Sequence, residues 1–159
     1  MTELHNYLND HLAGSVAALE LLDRLIETYR EKPLEHFFRN LREEIQQDQE
    51  QLKELMQKLG AKESTARKAG AWLAEKLSRA KIELGEAAEG EMGLLLALEA
   101  LVLGITGKRS LWRALQAGSR TMPKLGRLDY AGLEKKAIEQ CERVEARRLE
   151  TARTAFQAK

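Results

Sequence analysis

A chain of 159 residues is long enough to bury a core without disulfides or structural metals, and short enough to be one domain. Its 26 basic residues against 25 acidic ones leave a net charge of +1, which argues neither for bulk electrostatic binding of nucleic acid nor for an acidic scaffold. Only two prolines, few aromatics and a surplus of Ala, Leu, Glu, Lys, Arg and Gln make a helix-forming composition, so residues 1–159 are expected to form a single all-α helical-bundle domain.

Cys141 is the one cysteine, so no internal disulfide can form. The N-terminus MTELHNYLND has acidic and amide residues where an export signal needs a basic start and an apolar run. The longest apolar stretch, Gly93 to Ile105, contains Glu99 and falls short of the about 20 residues a membrane span needs. A cytoplasmic protein with no membrane partner is the expectation.

The first helix is expected from Thr2 to Arg30, with Leu4, Leu8, Leu12, Leu19, Leu22 and Ile26 on one stripe and Glu20, Asp23, Arg24 and Glu27 opposite. Glu31, Lys32 and Pro33 then make a connection too short for anything but an antiparallel hairpin. The second helix carries the seam Leu34, Phe38, Leu41, Ile45, Asp48, Leu52, Leu55, Leu59, whose alternating four and three spacing marks a helix packed lengthwise in a bundle. Asp48 alone breaks that seam. A lone carboxylate at a core position costs several kcal/mol unless a cation or donor meets it. Gly60 suits the left-handed residue that ends a helix.

Ser64 or Thr65 can cap a further helix to Leu84, with Trp72 on its apolar face and length enough to act as a crossover. The next helix, Glu89 to Ala117, is apolar nearly all round, from Met92 through Leu96, Val102 and Leu103 to Ile105, which points to a homodimer through this helix and Trp72. After a loop over Gly118 to Leu128, Asp129 caps a last helix reaching Ala158. Gly14, Ala18, Leu19, Glu20, Leu22 and Ile26 recur as Gly93, Ala97, Leu98, Glu99, Leu101 and Ile105, a weak internal echo.

Hairpin, crossover, hairpin is the layout of the ferritin-like superfamily. The stretch PLEHFFRNLREEIQQDQEQLKELMQKLG, Pro33 to Gly60, resembles the second helix of its small bacterial stress-associated YciF-type members. The resemblance implies a ferritin-like four-helix bundle with an additional crossover helix, and a two-metal carboxylate site built from one Glu on each of two helices plus Glu-x-x-His on the other two. Iron or manganese would suit such ligands. Here the histidines are His5, His11 and His36, none with a Glu three residues earlier, and Ile45 to Asp48 and Ala137 to Gln140 stand where the motif would fall. Glu20 and Glu99 occupy the first-helix and third-helix places.

Three constellations are therefore weighed. Asp48 and Arg148 both fall near the midpoints of their helices and are expected to form a buried ion pair. Alternatively Asp48, Glu99, His11 and Glu44 hold iron or manganese. In a third reading the basic segment 107–127, with Lys108, Arg109, Arg113, Arg120 and Lys124 and no acidic residue, grips an anion or nucleic acid. Cys141 has no His companion and reads as packing. The expected protein is not an enzyme and has no cofactor and no nucleic-acid partner. Its role is structural or binding, in a bacterial stress setting that rests on the resemblance alone.

Overall fold

The computed structural model describes residues 2–64, 75, 79 and 91–157. Among them are four α-helices, α1 (Thr2–Thr28), α2 (Pro33–Lys58), α3 (Glu91–Gly118) and α4 (Tyr130–Ala155), with a 3-10 turn over Pro123–Leu125 before the last. No strand occurs among the described residues, and none of the described helices is long and apolar enough to cross a membrane. The crossover helix expected from Ser64 or Thr65 to Leu84, Trp72 included, lies outside the described residues.

Local chemistry sets the helix ends. Glu31 takes a left-handed φ of 63° between α1 and α2, and Pro33, which has no N–H to leave unpaired, opens α2. Gly60 closes α2 with φ 70°, and the Ala61 N–H returns to the Met56 carbonyl at 2.9 Å. Asp129 caps α4 by accepting the Gly132 N–H at 3.0 Å. Buried Asn9 ties the chain leaving α2 back to α1. Its amide donates to the Lys62 carbonyl at 2.9 Å, and its carbonyl oxygen accepts the Ser64 N–H at 2.7 Å.

The buried side chains form two apolar clusters, and their membership gives the direction of each helix. Leu22 and Leu25 from late α1 meet Phe38 and Leu41 from early α2, Leu98 from early α3 and Val144 from late α4. At the other end, Leu8 from early α1 meets Leu55 and Met56 from late α2, Trp112 and Leu115 from late α3 and Tyr130 from the start of α4. Hence α1 and α4 run one way and α2 and α3 the other. The chain leaves α2 at the end opposite to its entry into α3, the layout of a four-helix bundle with one long crossover. Fully burying each of these leucines contributes about 1.5–3 kcal/mol relative to exposure.

The apolar surface of α3 is largely used inside the chain. Leu94, Leu95, Leu98, Leu101 and Ile105 are buried, and Leu96 and Val102 pack against the first cluster. Among the large apolar residues of α3, Met92 is the exposed one.

Candidate functional site

A polar layer separates the two clusters at mid-height, and every helix contributes to it. On α1 the seam Leu8, Leu12, Ser15, Leu22 turns polar at Ser15. On α2 it turns polar at Asp48, on α3 the run Leu94, Leu98, Leu101, Ile105, Lys108, Trp112, Leu115 does so at Lys108, and on α4 the run Tyr130, Leu133, Ala137, Gln140, Val144 does so at Gln140. Seven-residue spacing keeps each on the inward stripe of its helix. Burial would be costly for any of them alone, so they satisfy one another.

Asp48 is the hub. Its side chain is 2 % exposed. Oδ2 accepts from Lys108 Nζ at 2.7 Å and from Gln140 Nε2 at 3.1 Å, and Oδ1 accepts from Lys136 Nζ at 3.3 Å. Lys108 Nζ donates in addition to Gln140 Oε1 at 2.5 Å. Burial pushes the Lys108 ammonium below its ordinary 10.5, with the Asp48 carboxylate pulling the other way. On the α1 side, Gln49 Nε2 donates to Ser15 Oγ at 2.9 Å, and Ser15 Oγ donates to the Leu12 carbonyl at 2.7 Å.

One turn outward from Asp48, Glu44 takes a two-pronged bond from Arg143, at 2.9 and 2.7 Å. The guanidinium holds the Glu44 carboxyl below the usual carboxylate range, against its own partial burial.

The expected pairing of Asp48 with Arg148 is not what the fold contains. Arg148 binds Glu145 on its own helix, at 2.7 and 2.6 Å. The reason is register. With α2 and α4 antiparallel, Glu44 lies level with Arg143 and Asp48 with Gln140, so Arg148 sits about two turns from Asp48, roughly 12 Å along the axis.

The expected metal ligands are not gathered into one site, although His11 and Asp48 line the same cavity. Asp48 is met by two ammonium groups and Glu44 by Arg143. Glu99 is half-buried and lies within the electrostatic reach of Arg148, a pairing that raises the Arg148 pKa further. His11 packs its ring edge-on to Tyr7, with centroids 4.8 Å apart, and burial lowers its pKa below 6.5 while Asp10 pulls it back up. Glu20 lies on the exposed side of α1. Among the described residues no three His, Cys, Asp or Glu side chains form a group that could hold a metal ion.

The basic segment does not act as one surface either. Lys108 turns inward, and Arg109 and Arg113 share Glu134 at 3.1 and 3.5 Å. Arg120 and Lys124 are exposed around the 3-10 turn, so the expected anion site loses three of its five members. Cys141 packs against the first apolar cluster, as its stripe position implies, with Thr106 Oγ1 3.9 Å from its sulfur.

Sequence reasoning overlooked Lys108, Lys136, Gln140, Ser15 and Gln49 as partners of the layer. A signal existed for Lys108. It interrupts the four and three spacing of α3 as Asp48 interrupts that of α2, but the neighbouring Arg109 and Arg113 hid it in a surface charge run.

Beside the layer lies a cavity of about 210 Å³ between α1, α2 and α3, with Asp48 and Lys108 in its wall. Its other walls are mostly apolar, including Ile45, Leu52, Leu101 and Trp112. Comparison of the chain with protein-family models, with curated proteins and with solved structures finds no match.

Proposed function

We propose that the protein is a non-catalytic, metal-free bundle of the ferritin-like type, with a structural or small-molecule binding role, in which a lysine ammonium takes the central place that a metal holds in the metal-loaded members. One observation carries this reading: Lys108 Nζ donates to both Asp48, at 2.7 Å, and Gln140, at 2.5 Å. Asp48 and Gln140 are the positions at which the metal-binding motif of the resembled family would place its second residue. An ammonium fixed between them repels a divalent cation and uses the lone pairs a metal would need. The long crossover between α2 and α3 supports the same relationship at the level of layout.

Elemental analysis of the purified protein, followed by titration with iron(II) and manganese(II), tests the proposal. Substoichiometric metal and no saturable uptake are expected. Stoichiometric metal that disappears in Asp48→Ala would overturn it in favour of a divergent metal carboxylate protein.

A further inference from the structure

The cavity beside the polar layer is built rather than left over. Three glycines inside helices, Gly14 on α1 and Gly104 and Gly107 on α3, line it, and a Cβ added at any of them would meet nothing within 4 Å. Glycine in a helix interior is costly relative to alanine. Three of them bordering one space keep that space open where ordinary side chains would close it.

The walls specify the chemistry of an occupant. Most are apolar, and the polar layer contributes Asp48 and Lys108 with Ser15 and Gln49, His11 lying beside them. The Asp48 carboxylate is met by two ammonium groups, Lys108 and Lys136, so its own charge is neutralised. The Lys108 ammonium has three N–H donors, of which Asp48 and Gln140 use two. Its side chain is 14 % exposed, so it is not sealed off. Asp10, also in the wall, is exposed and sits at the solvent rim, where screening is strong.

We propose that this cavity binds a small monocarboxylate with an apolar body, its tail between α1 and α3 and its carboxylate on the third donor of Lys108. A cavity of ~150 Å³ holds benzene. Scaled to 210 Å³, the present one takes roughly eight non-hydrogen atoms, the size of hexanoate. This ligand class rests on the binding role proposed above, and the two fail separately: stoichiometric metal defeats the first, and the titrations below defeat the second.

The test is calorimetric titration of the full chain with hexanoate and with its neutral isostere hexanamide. Hexanoate should bind saturably at one per chain, and hexanamide roughly tenfold to a hundredfold more weakly, the difference made by one charge-assisted hydrogen bond. Gly14→Leu and Gly104→Leu extend side chains into the open space and should abolish binding while circular dichroism stays helical. Lys108→Met should remove the preference for hexanoate over hexanamide. Should that variant fail to fold, the glycine variants still decide. No saturable hexanoate binding, equal affinity for the amide, or full binding in folded Gly14→Leu and Gly104→Leu would each overturn the proposal.

Discussion

Asp48 and Lys108 each hold a core position that an apolar residue would fill at lower electrostatic cost, and each makes the other tolerable. Removing one partner strands the other. Asp48→Ala leaves Lys108 buried with only Gln140 as acceptor, and we expect urea denaturation to show a loss of about 3–5 kcal/mol. Replacing the whole set, as Asp48→Leu with Lys108→Met and Gln140→Leu, should return stability close to the parent, because the attraction in a buried polar cluster is largely offset by desolvation and no buried amide is left unpaired. Lys136, 40 % exposed, can then turn to water. A triple variant as unstable as Asp48→Ala would show that these mutual bonds are not what holds the layer. Glu44 gives a pH-dependent counterpart. Its folded-state pKa is held below 4.5 by Arg143, so the folded protein binds fewer protons than the unfolded chain in acid. The contribution is complete above pH 4.5 and is lost as pH falls through the depressed value. Glu44→Gln should accordingly lose less stability than the parent between neutral pH and pH 3, read as the shift in urea midpoint.

At the scale of the element, helix ends and helix glycines behave differently. Gly60 sits at φ 70°, where a Cβ is strained, and Gly60→Ala should lower the melting temperature by an amount corresponding to about 1 kcal/mol. Gly14 and Gly104 lie within helices facing open space, so Gly14→Ala and Gly104→Ala should each raise stability by roughly 0.5–1 kcal/mol. Opposite signs for the two kinds of glycine are what thermal melts must show. Stability withheld at Gly14 and Gly104 is what a binding cavity requires. Of the residues in the weak echo between the halves, Leu19, Leu22 and Ile26 and their counterparts Leu98, Leu101 and Ile105 all belong to or pack against the first apolar cluster.

For the molecule as a whole, two apolar clusters divided by a polar layer make two separable stores of burial energy. Leu98→Ala in the first and Leu55→Ala in the second should each cost about 2–5 kcal/mol, and the double variant should equal their sum within ~0.5 kcal/mol, since the two share no packing partners. Sedimentation tests the homodimer expected from the apolar run of α3, on which Met92 is the exposed large apolar residue. A mass of two chains would support that dimer, and a mass of one chain would count against it.

Periodicity determined the four helices and the anomaly at Asp48, and residue chemistry the hairpin at Pro33 and the caps at Gly60 and Asp129, since each follows from local geometry acting over a few residues. The partner of Asp48 was decided by tertiary structure. Which residue lies level with it depends on the axial offset between antiparallel helices, and a slip of two turns exchanges Gln140 for Arg148 with no change in local pattern. The inward turn of Lys108 was legible as a break in a seam, yet a lysine stem can bend its charge toward either core or solvent. Only the buried carboxylate across the bundle selects the first. The cavity was beyond the sequence for a similar reason: three glycines on two separate helices mean open space only when those helices face each other.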